Sequence, residues 1–479
     1  MDKEEGTNKP KGDGRIPQGI PNSKELQGHQ PSGPGDKPST APQSLVNSRS
    51  LGSERIRKEK VMERVYDVQR LHLAWHQVRT NAGAAGVDKM TVASFGERAQ
   101  EYLSLIQEKL KAGHYRFQPA RRVMIPKPGT SKERPLGIPT VMDRVVSQSM
   151  NLVLEEIFDR DFTPSNFGFR RGKSQHQAIE HVRRLVVEGH EWCASIDLAD
   201  FFGEISHRLI FHLVRQQVKD ERFITLIARA LKAGVIIDGK FHKTDKGVPQ
   251  GSPVSPILSN IALNELDQEL ERRGHRYCRW ADDFVILLKS ERAAKRAMEV
   301  ITRFVETELG LPVNKDKSEV AKTTRVGFVG FQVYTGKIRI STKAKRRFKD
   351  RVRELTRRNN PLSMYQAIQD LNKYIRGWGN YYRRQEFASV FNKLDEFIRQ
   401  RLRSMQLKKW KKPRKFQWAM RQAGYTAQQA NRTWMAMNKW RSIKRPEVRY
   451  VMNLQWFRKL GLLFLDSLTE RNLELVFSH

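Results

Sequence analysis

Trp280-Ala281-Asp282-Asp283-Phe284-Val285-Ile286 lies between Arg276-Tyr277-Cys278-Arg279 and Leu287-Leu288. Residues 276–280 carry aromatics, and residues 284–288 form a short apolar run that reads as a strand buried on both faces. The pattern predicts a strand, a tight turn and a second strand, which lifts Asp282 and Asp283 to the rim of a sheet. An Asp-Asp pair taken alone often does nothing more than make a turn, so its meaning depends on what stands near it.

Residues 191–198 also read as a strand. Side chains alternate along a strand, so Ser195 and Asp197 share one face while Ile196 and Leu198 turn into the core. Asp197 can then lie beside the hairpin tip. Carboxylates gathered from separate chain segments are what nucleotidyl transfer needs. It uses two divalent cations about 3.5–4 Å apart, one activating the primer hydroxyl and one bridging the leaving phosphates.

The bulk composition suits such chemistry on a polyanion. The chain has 479 residues, with 88 Lys and Arg against 52 Asp and Glu, a formal charge of +36. Self-repulsion on that scale points to a nucleic-acid partner. No apolar stretch approaches the roughly 20 residues of a membrane span and no signal-peptide pattern is present, so a cytoplasmic, soluble protein without a membrane partner is expected, nucleoid-associated when bound to DNA. Cys193 and Cys278 are the only cysteines, which excludes a disulfide framework and a Cys-rich zinc module.

Four regions follow from composition. Residues 1–55 hold seven of the twenty prolines and are expected to be a disordered Pro/Gly/Ser-rich tail. Residues 56–340 mix helices and short strands. Residues 341–415 predict a bundle of three helices, whose middle helix presents Tyr365, Ile368, Leu371, Ile375, Trp378 and Tyr382 on one face, with Asn359-Asn360-Pro361 breaking the first connection. Residues 416–479, with Trp418, Trp434, Trp440 and Trp456 among basic residues, read as a small basic helical region suited to a polyanion such as DNA. Residues 341–479 carry 33 Lys and Arg against 10 Asp and Glu, a concentration that suits a long polyanion. The run containing Lys408, Lys409, Lys411, Lys412 and Arg414 has too much like charge to fold unassisted and is expected to bind phosphates. Arg376, Arg383 and Arg384 are expected on the exposed face of the bundle, where they would meet a nucleic acid. Arg170, Arg171 and Lys173 are expected to track a nucleic-acid backbone.

Several blocks in order resemble the reverse transcriptases. Trp280-Ala281-Asp282-Asp283 is similar to their palm hairpin and Asp197-Leu198-Ala199-Asp200-Phe201-Phe202 to the first palm acid with its downstream aromatic. Ile125-Pro126-Lys127, Arg134-Pro135-Leu136-Gly137-Ile138-Pro139, Phe167-Gly168-Phe169-Arg170-Arg171-Gly172, Gly247-Val248-Pro249-Gln250-Gly251-Ser252-Pro253 and Phe328-Val329-Gly330-Phe331 fall in the family's order. Tyr374-Ile375-Arg376-Gly377-Trp378-Gly379-Asn380-Tyr381-Tyr382 resembles the maturase signature of group II intron-encoded proteins, and residues 81–95 their extension of the fingers.

The resemblance implies an α+β right-hand fold: fingers, a palm with an antiparallel sheet, and a helical thumb. It implies that Asp197, Asp282 and Asp283 are catalytic and hold two Mg2+ ions. Lys127, Arg134, Phe202, Gln250 and Lys317 would form the dNTP site, with Lys127 and Arg134 on the triphosphate and Phe202 excluding a ribose 2′-hydroxyl. The partners would be group II intron RNA, an RNA template, a DNA primer or target, and deoxynucleoside triphosphates. Trp280 departs from the family's usual Tyr, which puts primer positioning and fidelity in doubt. The lack of a Cys-rich nuclease module implies reliance on an existing primer. Three readings stay open: an intron-encoded reverse transcriptase and maturase, an RNA-binding splicing cofactor without polymerase activity, and a domesticated reverse transcriptase in DNA repair or phage defence.

Overall fold

The computed structural model describes residues 59–126, 133–437 and 439–468, without the side chains of Lys439 and Trp440. The Pro-rich stretch 1–55 and Lys127 lie outside the described residues.

The strands are β1 (Ala120–Pro126), β2 (Glu133–Ile138), β3 (Trp192–Asp197), β4 (Val235–Ile237), β5 (Lys240–His242), β6 (Arg276–Trp280), β7 (Asp283–Leu288), β8 (Glu319–Lys322), β9 (Phe331–Tyr334) and β10 (Lys337–Ile340). They make a four-stranded fingers sheet in the order β2-β1-β4-β5, a four-stranded palm sheet in the order β6-β7-β3-β8, and the ribbon β9–β10. All pairings in the palm sheet are antiparallel. This is the expected α+β architecture.

The palm strands are apolar on both faces because each face meets its own core. Ala194, Ile196, Phe284 and Ile286 belong to one core, shared with the fingers helices, of which Val141–Phe158 is the most buried. Cys193, Cys278, Val285 and Leu287 belong to a second, shared with the helix Gln175–Val187, the ribbon and the thumb. Alternation then puts Asp197 and Asp283, which follow Ser195 and precede Val285, on the thumb-side face at the sheet's end.

The thumb consists of the helices Thr342–Leu355, Met364–Tyr382 and Ala388–Lys409. The middle helix starts at a capping box formed by Ser363 and Gln366, which satisfies two otherwise orphaned backbone donors. Phe348, Trp378 and Phe391 bring one ring from each helix together, with centroid separations of 4.3 Å and 6.2 Å. The expected apolar face needs one correction: Tyr365 is 60% exposed, and Met364 and Ala367 take the buried positions beside Ile368, Leu371 and Ile375. Tyr365 lies about 80° around the helix from Ile375 at 100° per residue, at the edge of the stripe. Tyr381 Oη donates to the Val329 carbonyl at 2.7 Å, tying the bundle to the palm side.

The basic run is also more ordered than expected. Lys408 and Lys409 end the helix Ala388–Lys409, where cations offset the carbonyl end of the macrodipole, and Pro413 opens the helix Pro413–Gln422. Phe416, Val448, Phe457 and Leu465 share the core that contains Leu402, so the last helices pack onto the thumb. Arg403, 5% exposed, donates twice to the Met452 carbonyl, and Asp395 accepts from the backbone N–H groups of Leu465 and Asp466.

Candidate active site

The β6–β7 hairpin closes with Trp280 opposite Asp283, leaving Ala281 and Asp282 as a two-residue turn. Ala281 has φ of 57°, a left-handed conformation that two-residue hairpins demand and that costs a residue with a Cβ about 1–2 kcal/mol. Two neighbours hold it there. Arg279 Nη1 donates to the Ala281 carbonyl at 3.0 Å. Phe167 N–H donates to the Arg279 carbonyl at 2.9 Å, laying residues 165–168 along the hairpin. Gly168 comes so close that a Cβ there would sit 2.1 Å from the Ala281 nitrogen.

Arg279 was not singled out in the sequence. It is fully buried and paired with Asp267, also fully buried; its Nε donates to Asp267 at 2.8 Å and its Nη1 also to Asn260 at 3.0 Å. The only signal was an arginine inside a strand whose neighbours are apolar or aromatic.

Asp197 and Asp283 are direct partners across the β3–β7 pair, so their Cα atoms are about 4.5–5.5 Å apart and their side chains leave the same face. Asp197 and Asp282 line a cavity of about 870 Å³ together with Arg134, Phe202, Gln250 and Lys317. Lys317 Nζ lies 3.1 Å from Asp197 Oδ2. Burial, with Asp197 as a further cause, raises the Asp282 carboxyl above the usual range. Asp283 reaches solvent, but the crowding of protein around the rim leaves it poorly hydrated. That crowding first, then the charges of Asp282 and Asp197, pushes its carboxyl up to about 7, with Lys343 of the thumb acting in the opposite sense.

Among the described residues no group of three or more His, Cys, Asp and Glu side chains is gathered tightly enough to hold a metal ion unaided. Lys317 stands against Asp197. The donor chemistry still fits a hard divalent cation: the groups are carboxylate oxygens, without sulfur or imidazole, and they lack sufficient counter-charge.

The nucleotide-site candidates fall around the same cavity, apart from Lys127, which lies outside the described residues. Arg134 projects from β2 and is exposed. Asp200 caps the one-turn helix Phe201–Glu204 with φ of 45°. This bend sends Phe201 into the core, 2% exposed, and leaves Phe202 half-buried on the cavity wall. Gln250 follows Pro249, and the next residue, Gly251, has φ of +116° with room for no side chain, because a Cβ would lie 2.2 Å from the Gly137 carbonyl oxygen. The glycine therefore permits close approach to β2. Trp280 is half-buried against the second core.

Arg170 is a correction. Its side chain is 9% exposed beside Asp159, and it donates to the Asp159 carboxylate and to the carbonyls of Asp159, Thr163 and Asn166. With its donors used internally it braces the loop before Phe167 and is not available to a phosphate backbone. Arg171 is exposed and paired with Glu155 at 2.9 Å; Lys173 lies over the Phe167 ring at 5.4 Å. Arg376 and Arg383 are exposed and Arg384 is half-buried. Lys408, Lys411, Lys412 and Arg414 are exposed, while Lys409 donates to the Asn360 carbonyl at 2.9 Å.

The sequence reading also passed over Arg144. This residue is 8% exposed, lines the same cavity and donates to the carbonyls of Ala82 and Ala84, holding the loop before Val87 against the fingers. Among the described residues no helix is long and apolar enough to cross a membrane.

Comparison with known proteins agrees with this geometry. Residues 125–333 match the family described as reverse transcriptase (RNA-dependent DNA polymerase), and residues 345–424 match the group II intron maturase-specific domain. The chain is 36% identical over 277 residues to protein YkfC of Escherichia coli (strain K12), covering 50% of this chain and 72% of that one. It is 28% identical over 346 residues to the group II intron-encoded protein LtrA of Lactococcus lactis subsp. cremoris, covering 58% of this chain and 57% of LtrA. With the palm acids, the thumb bundle and both domain matches in one chain, the protein belongs to the reverse transcriptase and maturase family of group II introns, an RNA-directed DNA polymerase family.

Proposed function

We propose that the protein copies RNA into DNA by nucleotidyl transfer with two Mg2+ ions, and that its thumb binds a group II intron RNA, promotes its splicing and presents it for copying at a DNA target. The observation that carries this reading is the meeting of Asp197 and Asp282 in one cavity with Arg134, Phe202, Gln250 and Lys317.

In this reading Asp197, Asp282 and Asp283 hold the cations, which when bound supply charge neutralisation at the transferring phosphate. Arg134 grips the triphosphate with a planar fork, for which an ammonium is no substitute. Phe202 presents its ring to the sugar edge and excludes a 2′-hydroxyl by clash. Gln250, which lines the same cavity, contacts the nucleotide. Lys317 balances Asp197 until the substrate arrives. Arg279, buried beneath the turn, keeps Asp282 at the tip. Lys408, Lys411, Lys412 and Arg414 give the thumb side a sequence-independent hold on phosphates.

The test is primer extension by purified protein on an RNA template with an annealed DNA primer, the four dNTPs and Mg2+. Full-length DNA is expected, and failure to extend on RNA would overturn the reading. The maturase half is tested by adding the protein to a transcript of the intron that encodes it, at Mg2+ too low for unaided splicing. Excision is expected to depend on the protein and to survive Asp282→Ala, which separates RNA binding from polymerisation.

A further inference from the structure

Phe202 lines two cavities. One is the catalytic cavity; the other is a smaller chamber of about 210 Å³ on the fingers side, walled by Phe117, Ala120, Ala230, Leu231, Val235 and Val248. Pro135, Asp200, Phe202, Gln250 and Ser252 line both.

The backbone at Phe202 is well fixed. Val248 N–H donates to its carbonyl at 2.7 Å, and Gly247 N–H donates to the Ile205 carbonyl at 2.8 Å. A Cβ on Gly247 would lie 2.8 Å from the Phe202 carbonyl oxygen, so the Gly-rich loop is pressed against this turn. The ring is held differently. It meets Phe201 edge-on, with centroids 5.3 Å apart, and packs against the core that contains Phe201 and Val248, but its packing is interrupted where Phe202 borders the chamber. A ring with a void beside it forgoes dispersion contacts on that side and gains room to rotate about its side-chain torsions.

We propose that this chamber sets the stiffness of the sugar gate, and that Ala230, which opens it with a small side chain at the end of the helix Glu221–Leu231, is a positioning residue for discrimination between deoxyribo- and ribonucleotides. The inference rests on the reading of Phe202 as that gate. A 2′-hydroxyl entering the catalytic cavity is opposed only by the work of pushing the ring toward the chamber. Filling the chamber raises that work, and enlarging it lowers it. No change in the metal ligands or in the triphosphate grip is involved.

The experiment compares kcat/KM for dTTP and UTP on one primer and RNA template, in wild type, Ala230→Leu, Leu231→Ala and Phe202→Ala. Ala230→Leu is expected to raise the dTTP/UTP ratio about fourfold, as if one of the three carbons it adds lay in the path of the ring. Leu231→Ala is expected to lower the ratio by a similar factor. A purely structural lesion would depress use of both nucleotides together and leave their ratio unchanged. Thermal melting checks that each variant is folded, with Ala230→Val as the smaller filling change should Leu not be accommodated. If Phe202→Ala fails to admit UTP, the gate itself is wrong. If Phe202→Ala admits UTP but the ratio is the same in folded filling and enlarging variants, the chamber has no part in discrimination and the inference is overturned on its own.

Discussion

Lys317 Nζ donates to Asp197 Oδ2 at 3.1 Å, joining residues 120 positions apart. Both side chains are well exposed, at 64% and 41%, so the pair contributes little to stability, at most about 1 kcal/mol. Its importance is electrostatic, because the ammonium occupies ground that a divalent cation must share. Lys317→Met should leave the melting temperature nearly unchanged, slow extension, and lower the Mg2+ concentration for half-maximal rate by about two- to threefold. A Mg2+ titration of primer extension measures this, and an unaltered midpoint would remove Lys317 from the site.

The Asp283 carboxyl, pushed up to about 7 from an ordinary 3.8, gives a pH dependence of definite sign. Between those values the folded protein binds more protons at this residue than the unfolded chain does. Stability without divalent cations therefore falls as pH rises from about 4 to about 7 and levels off above. Asp283→Asn should melt at a higher temperature than wild type at pH 8 in EDTA, with the gap shrinking toward pH 5. Mg2+ should narrow the gap at pH 8 by stabilising the wild type. A constant gap across pH would show that Asp283 is not crowded by the other acids.

Gly168 is the close-approach residue under the hairpin tip. An added methyl group would overlap the Ala281 nitrogen, and because backbone faces backbone there, relief requires moving the turn that carries Asp282. Gly168→Ala should therefore lose nearly all extension activity, while Gly172→Ala, where a Cβ meets open space but φ is +69°, should retain most of it at a cost of about 1 kcal/mol. Comparable activity in both variants would contradict this account of the tip.

The buried Arg279–Asp267 pair makes a double-mutant prediction. Arg279→Met leaves the Asp267 carboxylate buried without its partner and should cost about 3–5 kcal/mol. Replacing both, as Arg279→Met with Asp267→Leu, should cost clearly less than the sum of the single changes. Chemical denaturation of the four proteins reads this directly. Strict additivity would mean that the two groups do not depend on each other.

The parts legible in the sequence were those with a local signature. The β6–β7 hairpin is an apolar run beside a two-acid turn, and the palm strand β3 is a short alternating segment; both can be read within ten residues. The middle thumb helix was legible from its spacing, and only Tyr365, at the edge of the stripe, fell on the wrong side. What escaped depends on partners far away in the chain. Arg170 looks like any basic residue after an aromatic pair until Asp159 and three carbonyls surround it. Arg279 looks exposed until Asp267 is folded against it. Arg144 has its role from two carbonyls some 60 residues earlier. The order of the basic run at 408–415 escapes for a related reason: its charge density does not reveal the helix end at Lys409 and the start at Pro413, which separate those charges onto different turns.

The central claim is that Asp197, Asp282 and Asp283 together gather divalent cations around an incoming nucleotide. The most direct measurement is anomalous diffraction from crystals of the protein with RNA template, a dideoxy-terminated DNA primer, dTTP and Mn2+. Two peaks about 3.5–4 Å apart are expected, in contact with the Asp197 and Asp282 carboxylates and the triphosphate, with Lys317 moved off Asp197. A triphosphate bound away from these acids, or cations that do not touch Asp197, would contradict the account.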